Sequence, residues 1–179
     1  MHLKTVYVTV GTTKFDALIE AITSESVLKA LQSRECRQLI LQHGNSLPKS
    51  VEESRLISQQ YGIQLEQYTF RPNIEDIKAA DLIIGHAGAG TCMDILTNGK
   101  VGLIVVNDEL MDNHQQELAR QLATERYLYT CKPSQLAVQL ESLDFESLRP
   151  YESADENMLK FVKALDELMV QRWTHSASK

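Results

Sequence analysis

The sequence predicts an α/β fold built on a doubly wound parallel sheet, and three observations lead to this class. Short aliphatic or β-branched runs alternate with segments of helical spacing along most of the chain, which is typical of parallel strands joined by helices. The run at 101–106 is nearly all apolar, as expected of a strand covered on both faces. Glycine turns follow the runs at 5–10 and 81–84, and sheets of this class bind ligands at the carboxyl ends of their strands.

The chain begins with a predicted strand at 5–10, which is rich in β-branched and aromatic residues and ends at Gly11. Apolar residues at helical spacing then predict a helix over 15–31. The apolar run 39–41 predicts a second short strand, and a polar loop follows it. The first strand and helix therefore form the first unit of the alternation.

The middle of the chain repeats this order. A weaker helical pattern covers 51–61 and ends at Gly62, a plausible C-cap. Residues 63–70 alternate in polarity and predict a third strand. A short helix at 74–80 leads into a fourth strand at 81–84.

The last part of the domain adds two strands and three helices. The strands are predicted at 101–106 and 127–131, and the helices at 91–97, 113–124 and 134–143. Pro133 suits the start of the last helix, because proline is tolerated in a first helical turn.

We predict two parts, a ligand-binding domain over 1–150 and a C-terminal helix and tail over 151–179. Within the tail, apolar residues form one stripe of a helix predicted at 154–173. That stripe could pack on the chain's own sheet or on a partner, and the sequence leaves both open.

Composition excludes several classes of function. The 179 residues carry a net charge of −6, which argues against nucleic-acid binding. There is neither a signal-peptide pattern nor an apolar stretch of roughly 20 residues that could span a membrane, so we expect a cytoplasmic protein.

Three scattered cysteines, Cys36, Cys92 and Cys131, predict buried reduced thiols rather than disulfides or a zinc site. His114 and Asp112 alone do not make a metal site, so no metal is expected.

The turn at 85–91 carries the clearest chemical signal. Its glycines allow close approach of a ligand, and the helix that follows presents unpaired N–H groups to an anion. Phosphate binding is therefore predicted, although an ordinary strand–helix turn uses the same residues. His86 could donate to the phosphate or merely cap the strand. Asp94, one helical turn beyond Gly90, could accept hydrogen bonds from ribose hydroxyls or only favour the helix dipole.

Two further loops are expected at the same sheet edge. Thr12, Thr13 and Lys14 follow Gly11 and suit a diphosphate, as they would suit a plain turn. Asp108 and Glu109 resemble a pair for acid–base chemistry, but a solvated role in a polar loop explains them better. The polar run 112–116 is well placed to bind a polyhydroxyl ligand.

These segments together resemble a known family. Residues 8–13, 81–91 and 105–108 with 111–116 resemble the C-terminal, Rossmann-like half of GT-B glycosyltransferases of the MurG type. Within that type they are similar to the soluble subunits, especially fungal ones, of the two-subunit eukaryotic UDP-N-acetylglucosamine transferases of the dolichol pathway. The resemblance covers about residues 3 to 130 and fades in the tail.

The resemblance implies the donor-binding part of an enzyme. The reaction of such enzymes moves N-acetylglucosamine from UDP-GlcNAc to N-acetylglucosaminyl-diphosphodolichol with inversion, forming a β1,4 linkage. It implies a membrane-anchored partner subunit that binds the dolichol-linked acceptor, and recruitment to the cytosolic face of the endoplasmic reticulum. It implies no cofactor and no metal. The general base is unassigned and could lie on the partner, with His86 as the candidate in this chain.

The resemblance also assigns substrate-binding roles. Gly11, Thr12 and Thr13, together with Gly88, Ala89, Gly90 and Thr91, would contact the diphosphate. Asp94 stands where the family has a glutamate that binds ribose, and His86 stands near a phosphate-contacting position. The loop that begins with Phe70 and Arg71 would meet uracil largely through its backbone. Asn113, Gln115 and Gln116 would face the GlcNAc hydroxyls. One departure is Val101-Gly102-Leu103, where a lysine–proline pair is usual.

Two other functions stay open at this stage. An NAD(P)-dependent oxidoreductase could use a doubly wound sheet, but the glycine turn follows the fourth strand rather than the first, and the second strand lacks an acid at its end. A non-catalytic nucleotide-sugar-binding or interaction module, using the stripe at 154–173, is the other alternative.

Overall fold

The fold is a six-stranded, fully parallel sheet with helices on both faces. A computed structural model describes residues 2–106 and 113–151, and for residues 113–115 it describes the backbone alone. The strands are β1 (Thr5–Thr9), β2 (Gln38–Gln42), β3 (Gln64–Tyr68), β4 (Leu82–His86), β5 (Val101–Val105) and β6 (Tyr129–Cys131). Their order in the sheet is β3-β2-β1-β4-β5-β6, and every neighbouring pair is parallel. The predicted doubly wound α/β class is confirmed.

The described residues contain seven α-helices and two short 3₁₀ turns; the first six helices connect successive strands, and the other elements follow β6. The helices are α1 (Asp16–Ile22), α2 (Glu25–Ser33), α3 (Val51–Tyr61), α4 (Ile74–Ala79), α5 (Ala89–Thr97), α6 (Asn113–Thr124) and α7 (Leu136–Ser142). The 3₁₀ turns span Pro133–Gln135 and Phe145–Ser147. Since β1 lies between β2 and β4, the chain reverses its direction of winding at β1, and the carboxyl ends of β1 and β4 meet where ligands bind in such sheets.

Successive strand residues point to opposite faces of the sheet, and each face is covered. Val6 and Val8 of β1 belong to the main core cluster, which also includes apolar residues of α1, α2, α3 and α7. Tyr7, between them, is also fully buried but lies outside that cluster. Helices α4, α5 and α6 pack on β1, β5 and β6. The site residues at the strand ends therefore rest on a rigid two-sided core.

One predicted helix, 15–31, is wrong as a single element, because the chain breaks between α1 and α2. Ser24 is the N-cap of α2 with extended backbone, φ −69° and ψ 152°. The Thr23 hydroxyl donates to the carbonyl of Ile19 at 2.9 Å, and the Ser24 hydroxyl donates to that of Ala21 at 2.7 Å. Side chains that bond the local backbone compete with helix continuation, and here they close one helix and start the next.

Other boundaries follow the sequence more closely. Helix α3 covers the predicted 51–61, and Gly62 ends it in the left-handed conformation at φ 69°. Ser50 and Glu53 form a capping box at its start. The helix predicted at 134–143 begins instead as a 3₁₀ turn at Pro133 and continues as α7. Helix α5 begins at Ala89, two residues before the predicted start, so Ala89 and Gly90 belong to its first turn.

The elements above lie within the first of the two units into which the chain divides, 1–149. The predicted helix at 154–173 lies outside the described residues, and the division of the chain at 150 stays a prediction. Cys36, Cys92 and Cys131 are free cysteines, and the predicted burial of their thiols is confirmed. Within the described residues no helix is long and apolar enough to cross a membrane. The same residues contain no cluster of three or more metal-ligating side chains.

Candidate functional site

The segment after β1 forms a turn whose carbonyls are tied back into the protein. The Gln42 side chain donates to the carbonyl of Gly11 at 2.7 Å. Asn45 donates to the next two carbonyls, from its side chain to Thr12 at 2.8 Å and from its backbone to Thr13 at 3.0 Å. The end of β2 and the loop after it therefore hold the carbonyl groups of this turn.

The donors of the same turn divide into two groups. The Thr13 hydroxyl and backbone N–H both donate to the carbonyl of Val10, at 2.7 and 3.1 Å, so the Thr13 side chain is turned into its own loop. The backbone N–H groups of Thr12 and Lys14 donate to no acceptor among the described residues. Because the carbonyls of this turn are hydrogen-bonded and, within the described residues, these two N–H groups are not, the turn can present N–H groups to an anion.

A second turn lies beside it, after β4. Gly88 is the N-cap of α5, and its carbonyl accepts the first helical hydrogen bond, from Cys92 at 3.0 Å. The N–H groups of Ala89, Gly90 and Thr91 have no acceptor among the residues that the structure describes. Such groups at a helix start carry partial positive charge and bind anions.

His86 lies between the two turns. A Cβ on Gly11 would be 2.8 Å from its Cε1 atom, and a Cβ on Gly88 would be 2.4 Å from its Nε2 atom. On its other side, Nδ1 is 3.5 Å from the Thr91 hydroxyl. Burial lowers the pKa of the imidazole, and a hydrogen bond with the Thr9 backbone opposes this more weakly. At pH 7 the His86 ring is therefore uncharged, and it packs against both turns.

The glycines of the β4 turn do not all serve the same purpose. A Cβ on Gly85 would lie 2.4 Å from the Thr91 methyl, so this glycine lets α5 pack closely on β4. Gly88 accommodates His86, as described above. At Gly90, no described atom lies within 4 Å of where a Cβ would be. Of these three, a ligand can therefore approach most closely at Gly90, which corrects the expectation that the glycines alike leave room for a ligand.

Asp94 lies on the exposed side of α5, one turn beyond Gly90. Partial burial raises the pKa of its carboxyl group. The carboxylate has no hydrogen-bond partner among the described residues, whereas its backbone carbonyl accepts from Asn98. The acid is thus free to accept hydrogen bonds from a ligand at the helix start.

The loop after β3 contributes an exposed aromatic ring and a guanidinium that is already occupied. Phe70 is 54% exposed. Arg71 forms ion pairs with Asp76 at 2.7 Å and Glu66 at 2.6 Å, and it stacks 4.0 Å over the ring of Tyr68. The Arg71 side chain therefore holds this loop in place, which leaves its backbone as the part available to a ligand.

Gln42 is the residue that sequence reasoning missed. It is the last residue of β2, it is only 6% exposed, and its side-chain amide bonds the loops after β1 and β3. A polar residue that ends an apolar strand at the ligand edge was the available signal.

The remaining predicted residues divide by what the structure describes. Asp108, Glu109 and Asp112 lie outside the described residues, as do the side chains of Asn113, His114 and Gln115. Gln116, in the first turn of α6, is half-buried and accepts from Arg120 at 3.5 Å.

A groove of about 330 Å³ lies elsewhere, between α2 and α3. Leu28, Tyr61 and Leu56 are among its lining residues. None of the predicted site residues lines it, so it is separate from the strand-end turns.

Comparison with known proteins identifies a family pattern across most of the chain. Residues 5–169 match the family described as "Glycosyltransferase family 28 C-terminal domain". The human protein "UDP-N-acetylglucosamine transferase subunit ALG13" is 42% identical over 134 residues, which cover 72% of this chain and 11% of the human protein. The ALG13 subunit of Kluyveromyces lactis is 30% identical, covering 70% of this chain and 78% of the relative. The Saccharomyces cerevisiae subunit is 28% identical, covering 83% and 88%.

Two solved structures share the fold. An NMR structure of ALG13 superimposes with a TM-score of 0.66 at 24% identity, over 89% of this chain and 95% of that one. Acinetobacter baumannii MurG superimposes with a TM-score of 0.60 at 21% identity, over 81% of this chain and 42% of that one. The sheet thus corresponds to part of a larger MurG chain, and to a small part of the human and mouse relatives, 11% of each.

Proposed function

The chain belongs to the glycosyltransferase family 28 C-terminal domain family, among the ALG13-type subunits, and from this premise we propose that it binds UDP-GlcNAc as the donor part of a transferase. The acceptor would be N-acetylglucosaminyl-diphosphodolichol, and the product would carry a second GlcNAc in β1,4 linkage. The relatives are named as transferase subunits, which is consistent with an enzyme assembled from more than one chain.

The observation that carries this proposal is the pair of turns at the carboxyl ends of β1 and β4. The turn after β1 leaves the N–H groups of Thr12 and Lys14 for a ligand, and α5 begins with three more, at residues 89–91. The pairing of β1 with β4 supports the proposal that both sets of donors serve one anion site. A diphosphate with its two negative groups suits such a site better than a single carboxylate does.

The rest of the donor has natural places around this site. Asp94 would accept from the ribose hydroxyls, and the backbone of the loop at Phe70 and Arg71 would contact uracil. Asn113, Gln115 and Gln116 at the start of α6 would face the sugar hydroxyls. These roles are proposals that extend the resemblance of the motifs to the geometry of the strand ends.

The chemistry would be a direct displacement at the anomeric carbon of GlcNAc. The acceptor hydroxyl forms the new bond, UDP leaves with the bonding electron pair, and the acceptor proton passes to a general base. The N–H groups of the two turns would stabilise the charge that grows on the leaving diphosphate, and their fixed orientation makes such stabilisation effective. His86, neutral because burial lowers its pKa, could donate to the phosphate without adding a charge.

We further propose that a membrane-anchored partner subunit binds the lipid acceptor and recruits this chain to the cytosolic face of the endoplasmic reticulum. The superposition covers only 42% of the length of MurG, and the lipid acceptor requires a membrane surface. A base for the acceptor hydroxyl would then come from the partner or from His86.

Binding is tested first, on the purified full-length chain. Saturation-transfer NMR with UDP, UDP-GlcNAc and NADH should give signals for the two uridine ligands and none for NADH. Binding of NADH instead would favour an oxidoreductase, and binding of none of the three would contradict the proposal.

Activity is tested by co-expression with candidate membrane partners, followed by an assay for the chitobiosyl-lipid product. We expect product only when both chains are present. Transfer by the purified chain without partner or membrane would contradict the proposed division of labour.

A further inference from the structure

We propose that Gln42 is a positioning residue. It fixes the distance between the loop after β1, which would bind the diphosphate, and the loop after β3, which would bind uracil. This inference rests on the proposed function, since it assumes that one ligand spans the loops after β1 and β3. Gln42 itself would touch neither the reacting atoms nor the ligand.

The side-chain amide of Gln42 uses its full hydrogen-bonding capacity. Its Oε1 atom accepts from the N–H of Gly11 at 3.1 Å and from the hydroxyl of Thr9. Its Nε2 atom donates to the carbonyls of Gly11 at 2.7 Å and Thr69 at 3.0 Å. An amide has two acceptor and two donor positions, so all four are occupied.

The orientation of the amide is fixed by its backbone partners. Two of them are carbonyls, which can only accept, and one is an N–H group, which can only donate. Rotating the amide by 180° would place donor against donor and acceptor against acceptor. No other uncharged side chain of this length meets the same requirement, and a glutamate would lose both donated bonds.

The position of Gln42 makes this amide a link between two loops. The sheet ladder ends beside it, with Val10 donating to the Gln42 carbonyl at 3.2 Å and His43 donating to that of Tyr68 at 3.0 Å. Among the described residues, no direct hydrogen bond joins residues 10–14 to residues 69–73, so the Gln42 side chain is their hydrogen-bonded connection.

A ligand that touches both loops gains from this connection, because loops already held at the right separation need no ordering when it binds. A ligand that touches one loop gains nothing from it. UDP would touch both loops, whereas uridine and inorganic pyrophosphate would each touch one. Gln42 should therefore matter more for UDP than for either fragment.

The test compares Gln42→Glu with the matched variant Gln67→Glu, each in the full-length chain. Gln67, on β3, also bridges a backbone N–H and a carbonyl, both of Lys49, at 2.9 and 2.6 Å, but it links neither ligand loop to the other. Calorimetry measures the affinities for UDP, uridine and pyrophosphate, and circular dichroism establishes that each variant is folded at the working temperature.

We expect Gln42→Glu to weaken UDP binding at least about tenfold more than it weakens the binding of pyrophosphate or of uridine, because only UDP also loses the fixed separation of the two loops. Gln67→Glu should leave all three affinities near those of the wild type. Equal UDP affinity in Gln42→Glu and wild type, or an equal loss for all three ligands, would overturn the positioning role. Failure of wild type to bind UDP would instead contradict the proposed function.

A measurement on the wild type covers the case in which Gln42→Glu does not fold. In NMR spectra of the unsubstituted chain, the side-chain amide protons of Gln42 should shift when UDP is added, because both loops that they bond contact the ligand. Those of Gln67 should stay in place. Unmoved Gln42 signals at saturating UDP would overturn the proposal without any variant.

Discussion

The imidazole of His86 occupies the space in which a side chain on Gly11 would lie: a Cβ there would come within 2.8 Å of the ring. The same ring lies where a side chain on Gly88 would be, at 2.4 Å. One side chain therefore joins the turns after β1 and β4, and it requires glycine in both. At Gly90 no described atom lies within 4 Å of where a Cβ would be, so its substitution should have the opposite consequence for folding from substitution of Gly11 or Gly88.

Gly90→Ala should reduce binding without reducing stability. Alanine is favoured over glycine within a helix by roughly 0.5–1 kcal/mol, and no described atom would clash with its methyl group. The free energy of unfolding, measured by denaturant titration, should stay equal or rise by up to about 1 kcal/mol. UDP affinity, measured by calorimetry, should fall about tenfold or more, because the methyl group lies where a diphosphate would approach the helix.

Gly88→Ala is the matched control for Gly90→Ala. Its Cβ would meet the His86 ring at 2.4 Å, so the free energy of unfolding should fall by about 1–3 kcal/mol, as in other overpacked sites. Destabilisation of Gly90→Ala to the same extent would contradict the free space at Gly90. UDP binding like that of the wild type would contradict the approach of a diphosphate at this residue.

The topology could be predicted from the sequence because it follows from local patterns. Apolar runs and helical spacing alternate along the chain, and that alternation leads to a parallel sheet with few topological choices. The break after Ile22 could not be predicted in the same way, because helical spacing continues across it. Hydrogen bonds from Thr23 and Ser24 to their own backbone decide it.

The candidate site could be predicted in part. The turns with Gly11 and Gly88 were identified from their glycines, but whether a neighbouring side chain or a ligand fills the space above a glycine depends on tertiary structure. Gln42 bonds Gly11 and Thr69, which are 31 and 27 residues away, and no local pattern reports such contacts. Arg71 likewise was expected at the ligand, and its ion pairs with Asp76 and Glu66 became visible only in the fold.

Asp94→Asn should weaken UDP binding about tenfold, because a charged acceptor to a ribose hydroxyl is worth roughly 1.5–3 kcal/mol. The exposed carboxylate has no protein partner among the described residues, so folding should be unaffected. Calorimetry with UDP and 2′-deoxy-UDP, on the wild type and the variant, measures whether the affinity lost in Asp94→Asn depends on the presence of the 2′-hydroxyl.

The control for Asp94→Asn is Glu52→Gln, which removes an exposed acid from α3. It should leave UDP affinity unchanged. If Asp94→Asn weakened UDP and 2′-deoxy-UDP by the same factor, Asp94 would act through the 3′-hydroxyl, the helix dipole or the diphosphate rather than through the 2′-hydroxyl.

The three cysteines should be unreactive in the folded chain. Burial raises the pKa of the Cys36, Cys92 and Cys131 thiols to about 12 each, and the thiolate is the reactive form. A colorimetric thiol reagent at pH 8 should therefore give almost no product with the native protein and three equivalents in guanidinium chloride. A thiol that reacted fully within minutes in the native protein would contradict this burial.

The free energy of unfolding should fall as the pH is lowered through the range in which the His86 imidazole of the unfolded chain takes up a proton. In the unfolded chain an imidazole titrates near its ordinary pKa of 6.5, whereas in the fold burial lowers the pKa, opposed in part by the Thr9 backbone. Above pH 6.5 the ring is neutral in both states and its contribution to stability is complete. As the pH falls below that value, the unfolded chain takes up a proton that the folded chain resists, and stability decreases by at most about 1.4 kcal/mol per pH unit until the folded pKa is reached.

Denaturant titrations between pH 7.5 and 5, on wild type and His86→Asn, measure this as a steeper loss in the wild type, since asparagine of similar polarity has no proton to gain. Identical slopes in the two proteins would show that the ring between Gly11 and Gly88 accepts a proton as readily in the fold as outside it.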